Sequence, residues 1–167
     1  MKKIFFSLAL LFITLNLAAQ VKYNSPLGNF KATFPDAPEY QNSDVDINNR
    51  TVKLHMFMYS ETDNIFMVAC ADYPDGFFDA KEIREQYFIS SADGFFGELN
   101  IIAGNAAKVK SGKYKGASYK GQGTDYGVLY HVYIAKNTIF QVVIMSNGAY
   151  PDEKAAKSFF KSFRITI

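Results

Sequence analysis

The chain has 167 residues, of which 49% are hydrophobic and 16% aromatic, with 18 basic and 16 acidic side chains. This length suffices for one domain with its own apolar core, and the near balance of charge argues against a nucleic-acid-binding protein, which usually carries a basic excess. Cys70 is the sole cysteine of the sequence, so an internal disulfide is excluded.

The first 19 residues have the pattern of a cleavable secretory signal peptide. Two lysines precede the largely apolar run 4–17, and small residues around Ala19 form a cleavage site. The run is shorter than the roughly 20 residues of a membrane-spanning helix, and no cysteine follows it for lipid attachment. We therefore expect a single domain of residues 20–167, periplasmic or secreted. An uncleaved membrane anchor is the alternative.

The first half of that domain has strand signals followed by a helix signal. Alternating or continuous apolar residues predict strands at 30–34, 51–59 and 65–71, the last as a central strand covered on both faces. Turn residues at 73–76 end that strand. Asp79, with a glutamate three residues later, predicts the capped start of a helix that ends between 93 and 99.

The second half has further strand signals and a second helix. Strands are predicted at 101–110, 115–121, 127–136 and 138–147. Lys136 and Asn137 form a tight hairpin turn between the last two. Pro151 is placed at the first position of the second helix, where its missing N–H costs nothing. The buried stripe of this helix is predicted to contain Ala155, Ala156, Phe159, Phe160 and Phe163.

Two stretches of the chain resemble one another. His55 lies in an apolar hairpin that leads to Tyr73-Pro74-Asp75 and a helix, and His131 lies in one that leads to Tyr150-Pro151-Asp152 and a helix. The hypothesis is an internal pseudo-repeat of two hairpin-plus-helix halves that superpose. Chance similarity between amphipathic hairpins is the alternative, because strand composition is restricted.

The two ends of the domain carry a family resemblance. The segment Gly28–Pro38 resembles the opening of the PsbP-like superfamily, and Lys157–Arg164 is similar to its terminal helix. That superfamily includes an extrinsic subunit of photosystem II, a Ran-binding import factor and bacterial exported proteins. The resemblance implies an α+β fold, an antiparallel β-sheet flanked by two main helices in an α/β/α sandwich, and accessory, protein-binding roles. The residue pattern itself indicates a strand-rich α+β domain with two long helices.

Charge is segregated along the chain. Residues 36–98 hold 13 acidic and 4 basic side chains, a net charge of −9, whereas residues 99–167 hold 10 basic and 3 acidic ones, a net charge of +7. A basic stretch contains Lys108, Lys110, Lys113, Lys115 and Lys120. These lysines either guard exposed sheet edges or form a docking face for an acidic partner. The glycine-rich loop 121–127, with Tyr126, joins two strands and is a place for partner contacts.

Histidines and aromatic residues lie on the same strand faces. His55, Phe57 and Tyr59 lie on one strand face, and His131 and Tyr133 on another. Two histidines fall short of the three or four ligands of a zinc site, so half-exposed strand histidines are the alternative to metal binding. The aromatic faces are either a second core layer beneath a helix or a groove for an apolar ligand or peptide.

No catalytic constellation emerges from the sequence. Cys70 lies inside an apolar run, where a thiol is an inert small hydrophobe. The sequence has neither a nucleophile elbow nor a zincin motif. The acidic turn 72–79 lacks the alternating ligands of a calcium-binding loop. No cofactor is expected.

We therefore expect a monomeric, non-enzymatic exported binding domain that acts through a protein partner at the cell envelope. A carrier of a small apolar ligand in an aromatic-lined pocket is the alternative, and a hydrolase is a third hypothesis. Neither nucleic acid nor a membrane segment beyond the signal peptide is expected. The candidate binding surface contains His55, Phe57, Tyr59, His131, Tyr133, Lys108, Lys110, Lys113, Lys115, Lys120 and Tyr126.

Overall fold

The computed structural model describes residues 20–47 and 50–167. The predicted signal peptide lies outside these described residues. The elements are β1 (Val21–Ser25), β2 (Phe30–Phe34), β3 (Glu39–Ile47), β4 (Arg50–Ser60), β5 (Asn64–Asp72), α1 (Lys81–Glu98), β6 (Ala107–Ser111), β7 (Tyr114–Gln122), β8 (Tyr126–Ala135), β9 (Thr138–Asn147), α2 (Glu153–Ser162) and β10 (Arg164–Ile165).

The strands form two antiparallel sheets. The larger sheet has seven strands in the order β3-β4-β5-β9-β8-β7-β6, and the smaller has three in the order β1-β2-β10. β5 lies between β4 and β9, which confirms the prediction of a central strand at 65–71. Its side chains are buried on both faces, with Phe66 and Val68 on one side and Ala69 and Ala71 on the other.

Each face of the seven-stranded sheet has its own core. On one face, Ala92 and Phe96 of α1 pack with Tyr130 of β8. On the opposite face, Phe30 of the small sheet and Phe159 of α2 pack against the sheet in a separate cluster. We refer to these as the α1 face and the α2 face. Successive side chains of a strand point to opposite faces of the sheet, so the two cores are built from alternate residues of the same strands.

The predicted fold class, an α+β sheet flanked by two main helices, is wrong. The described residues are mostly strand, and the second layer is chiefly a sheet of three strands assisted by the ten residues of α2. The prediction failed because it missed three strands. β3 is exposed along residues 39–46 and has no apolar alternation, while β1 and β10 are short strands that pair with β2.

Most other strand predictions are confirmed. β7, β8 and β9 match their predicted ranges to within one residue, and Lys136 turns the last hairpin with a φ of 53°. The predicted strand 101–110 is wrong in its first half, because the strand begins only at Ala107. Ile101 is buried there in an irregular segment, and the Gly104 N–H donates to the Lys120 carbonyl at 2.8 Å. α1 ends at Glu98, within its predicted limits.

The predicted helix starts need correction. Ala80 occupies the N-cap of α1 and no side chain caps it, so Asp79 is not the cap. In α2, Asp152 is the N-cap and its Oδ1 accepts from the Ala155 N–H at 2.8 Å, so Pro151 precedes the cap. Ala156, Phe159 and Phe163 are buried as predicted and Phe160 is partly buried, whereas Ala155 is exposed.

The predicted repeat of hairpin-plus-helix halves is also wrong. The hairpins β4–β5 and β8–β9 lie side by side, with β5 antiparallel to β9. A rotation of about 180° around an axis between β5 and β9 would therefore place one hairpin on the other. Such an axis is perpendicular to the sheet and therefore keeps each residue on its own face. α1 and α2 lie on opposite faces, so the helices are not equivalent. When the two hairpins are centred on the midpoints of their turns, at 61–64 and 136–137, His131 corresponds to Phe57 and not to His55.

Candidate functional site

A groove opens on the α1 face because α1 covers only part of the sheet. The helix contacts β7 and β8, and the same face of β3, β4 and β5 extends beyond it. The space between the helix and these strands has a volume of about 910 Å³. This volume lies within the range of small-molecule sites, roughly 300–1,000 Å³.

The groove has a mainly apolar floor and a helical wall of mixed polarity. Alternation in β4 places Val52 and Leu54 on the floor, as the sequence predicted for one strand face. Ile83, Tyr87 and Phe95 form the wall, and the small residues Ser90, Ser91 and Gly94 lie between them. An added Cβ at Gly94 would meet no atom within 4 Å. Small residues on this side of α1 therefore keep the groove open.

One end of the groove is closed by aromatic rings. Tyr73 lies 4.9 Å from both Phe77 and Phe78, measured between ring centroids, and 5.6 Å from Tyr87 of α1. Most of these contacts are edge-to-face, the arrangement that aromatic pairs favour. The turn after β5 therefore serves as a rigid end wall for the groove.

Few polar groups face the groove. Gln86, Ser90, Ser91 and Glu98 of α1 and Gln141 of β9 contribute the polar lining. Beneath the helix, the Tyr130 hydroxyl is buried, and the Ser91 hydroxyl lies near it without forming a hydrogen bond of good geometry. Burial raises the pKa of Tyr130 far above its ordinary value, an effect that the nearby Ser91 hydroxyl opposes. The phenol is therefore neutral at pH 7.

A methionine patch extends the apolar surface beyond the groove floor. Met58 and Met67 are direct cross-strand partners, and Met56 and Met145 are diagonal neighbours of Met67 on the same face. All four are partly buried. Because methionine has three rotatable bonds and a polarizable thioether, such a surface adapts to apolar partners of varied shape.

Cys70 is not a nucleophile. The thiol is 3% exposed and belongs to the core of the α2 face. Burial, with a smaller effect from the Asp72 carboxylate, raises the pKa of Cys70 to about 12. The thiol is protonated at neutral pH, and reactive thiols require the thiolate.

His131 and Tyr133 lie on the α2 face, away from the groove. The His131 ring stacks on Phe160 with 3.7 Å between centroids, and its Nδ1 lies 3.0 Å from the Tyr133 hydroxyl. Burial lowers the pKa of His131 to about 4. Tyr133 is 3% exposed, and burial raises its pKa to about 12. Both rings are neutral parts of the packing at pH 7.

The residues predicted on one face of β4, His55, Phe57 and Tyr59, are divided between the core and the surface. Phe57 is 1% exposed and lies in the core, and Tyr59 packs partly against it. His55 Nδ1 lies 2.8 Å from the hydroxyl of Tyr40 on β3. Two strands separate β4 from β8, so these strands lie about 14 Å apart at the usual spacing. The residue of β8 level with His55 is Tyr133, which places His131 still farther away. The two histidines therefore do not come together around one metal ion.

The lysines of the predicted basic surface lie on different parts of the protein. Lys110 and Lys115 are cross-strand partners at the free edge of the sheet, and Lys108 shares their face. Lys113 lies in the turn, with its Nζ 5.2 Å from the centre of the Tyr114 ring. Lys120 belongs to the α2 face, 6.0 Å from the Tyr150 ring.

Two predicted residues meet in a second, smaller groove. Lys120 and His131 both line a space of about 550 Å³ between α2 and strands β6–β8. Tyr126 is the first residue of β8 and packs against the α1-face core. The predicted surface is therefore not one continuous site, and the large groove uses none of its residues.

Comparison with known proteins adds no family assignment. No protein-family model matches the chain, and a search of curated proteins gives no match. The resemblance to the PsbP-like superfamily therefore stays a prediction. Among the described residues, neither helix is both long and apolar enough to cross a membrane.

Proposed function

We propose that this protein is an exported carrier that binds a small, elongated apolar molecule in the groove between α1 and β3–β5. The observation that carries the proposal is the open groove of about 910 Å³ with a mainly apolar floor and the apolar side chains of Ile83, Tyr87 and Phe95 on its wall. Each buried methylene of a ligand contributes about 0.8 kcal/mol before the costs of binding. Ten methylenes would therefore contribute about 8 kcal/mol, a gain of the same order as the costs of association, so burial of a longer acyl chain favours binding further.

The lining favours an acyl-type ligand over an extended peptide. A peptide brings an N–H and a carbonyl at every residue, and these groups need hydrogen-bond partners once they are buried. The groove floor consists of the side-chain face of the sheet, where Val52 and Leu54 offer no such partners and Gln141 offers a single amide group, too few for a peptide backbone. A hydrocarbon chain needs none, and the methionine patch supplies further apolar contact at the open side.

Two glycines of α1 provide a matched test. Gly94 lines the groove, whereas Gly97 does not, and an added Cβ at either position meets no atom within 4 Å. Gly94→Phe should therefore fill the groove, and Gly97→Phe should leave it open with the same change in composition. Binding is measured by the fluorescence of N-phenyl-1-naphthylamine and by its displacement with palmitate.

The expected result is that the wild type and Gly97→Phe bind the probe alike and that Gly94→Phe binds it at least about tenfold more weakly, a difference of about 1.4 kcal/mol. Circular dichroism checks that all three proteins are folded. Equal binding by the two variants, or no binding by the wild type, contradicts the proposal. Native mass spectrometry of protein purified from its producing cell then identifies the natural ligand.

A protein partner at the cell envelope is the second candidate. It is favoured by Lys110 and Lys115, two like charges directly opposite each other on the free edge. Such a pair is destabilising in the isolated chain, and an acidic strand added to the edge would relieve it. A pull-down that loses its partner on Lys110→Glu but not on Lys154→Glu, an exposed lysine of α2, would support this candidate.

A further inference from the structure

The small sheet turns a polar face to solvent. Phe30, Ala32 and Phe34 of β2 are buried against the large sheet. Strand alternation therefore directs the intervening Lys31 and Thr33 outward. This outer face is separate from the groove, because the small sheet covers the α2 face and the groove lies on the α1 face.

Four cations surround a concavity on this outer face. Lys22 of β1, Lys31 of β2, Lys161 of α2 and Arg164 of β10 line a space of about 460 Å³ together with neutral residues. Among the described residues, no aspartate or glutamate lines it. The concavity is therefore a site of concentrated positive charge, built from four different elements.

The cations are held together against their mutual repulsion. Lys31 and Arg164 are direct cross-strand partners, and like charges in that arrangement are destabilising. The ion pairs within the described residues, Lys53–Asp44 at 3.3 Å and Lys81–Glu85 at 3.5 Å, lie elsewhere. Among the described residues, no acidic side chain forms an ion pair with these four cations, so an external anion would relieve their repulsion.

The Arg164 guanidinium is fixed in place. Its Nη1 donates to the Lys161 carbonyl at 2.6 Å and to the Phe163 carbonyl at 2.7 Å. Its Nη2 and Nε have no hydrogen-bond partner among the described residues. These two nitrogens form the side of the guanidinium that binds phosphate and carboxylate oxygens in a bidentate manner. Because the fork is already oriented, less side-chain entropy is lost when an anion binds.

We propose that this cluster, the basic pocket of Lys22, Lys31, Lys161 and Arg164, binds a phosphate group. A phosphate monoester carries up to two negative charges and several acceptor oxygens, which matches four converging cations better than a single carboxylate does. The group belongs either to a free phosphorylated solute or to a lipid headgroup.

The test compares charge reversals inside and outside the pocket. Inorganic phosphate is titrated into the purified protein at constant ionic strength, and binding is followed by NMR of the backbone amides. Lys31→Glu is the pocket variant and Lys108→Glu the control, which makes the same charge change at the exposed β6 edge. Lys161→Glu, on the exposed surface of α2, repeats the test should Lys31→Glu fail to fold.

The expected result is saturable chemical-shift changes at residues 22–33 and 161–164. The affinity for phosphate should fall at least about tenfold in Lys31→Glu, which is about 1.4 kcal/mol, and less than twofold in Lys108→Glu, because only the first variant loses a charge-assisted hydrogen bond. Co-sedimentation with phosphatidylcholine vesicles, with and without phosphatidic acid, distinguishes the two sources. Binding to phosphatidic acid that Lys31→Glu abolishes assigns the headgroup, and binding to phosphate alone assigns a solute. Equal weakening in both variants, or no binding in either assay, overturns the proposal.

Discussion

His131 should make the stability of the protein depend on pH between about 4 and 6.5. Its ring is stacked on Phe160 and hydrogen-bonded to Tyr133, and burial lowers its pKa from 6.5 to about 4. Between these two pKa values the unfolded chain binds a proton that the folded chain does not. The free energy of unfolding therefore falls as the pH falls through this window, and the effect of His131 levels off below pH 4.

The magnitude follows from the two pKa values. Proton linkage gives a loss of about 2 kcal/mol between pH 7 and pH 5, and of about 3 kcal/mol by pH 4. Carboxylates also titrate near the lower limit, so the comparison uses a variant that lacks only this imidazole. His131→Gln has a side chain that does not titrate and that still offers hydrogen-bonding groups to Tyr133.

The assay is urea unfolding of the wild type and of His131→Gln at pH 7, 6 and 5. The stability of the wild type relative to the variant should decline by about 2 kcal/mol across this range, whatever the fixed cost of the substitution at pH 7. Carboxylate effects cancel in the difference because both proteins share them. A difference that changes by less than about 0.5 kcal/mol would refute the argument that packing keeps this partly buried imidazole neutral.

Urea unfolding also tests two structural corrections. Phe30→Ala should lower the free energy of unfolding by about 3–5 kcal/mol, because this ring is fully buried between the small and large sheets. Leu27→Ala should lower it by less than about 0.5 kcal/mol, because that side chain is 60% exposed. Similar losses in the two variants would contradict the core beneath the small sheet. Asp152→Ala should lower the free energy of unfolding by about 1 kcal/mol through the lost hydrogen bond to Ala155. Asp79→Ala should not have this effect, because Asp79 does not cap α1. A larger loss for Asp79→Ala than for Asp152→Ala would show that Asp79 caps α1 after all.

The strands were predictable where burial on one or both faces leaves a pattern. The run 65–71 is apolar because β5 is covered on both faces, and 30–34 alternates because only one face of β2 is covered. β3 leaves no such pattern, because residues 39–46 are exposed on both faces at a sheet edge. Its pairing with β4 is visible only in three dimensions.

The candidate site was less predictable than the strands. The sequence places Val52 and Leu54 on one strand face, but it does not say whether a helix covers them. Aromatic residues such as Phe57 and Tyr133 attracted attention as a possible groove, and both are buried in the core. The informative signal was instead the small residues Ser90, Ser91 and Gly94, which recur on one side of α1. Small residues on a helix can mark either a groove or close packing against a neighbouring element, and the sequence does not say which element this side of α1 faces.

The open groove follows from the dimensions of the fold. Seven strands at the usual spacing span about 29 Å, whereas one helix with its side chains is about 10 Å wide. α1 alone therefore leaves part of the α1 face uncovered, while the opposite face has both a small sheet and α2. The uncovered part is apolar, so a ligand that fills it binds the folded chain and not the unfolded one. At one hundred times its Kd, such a ligand should raise the free energy of unfolding by about 2.7 kcal/mol, and the tenfold weaker binding expected for Gly94→Phe should cut that gain to about 1.4 kcal/mol or less.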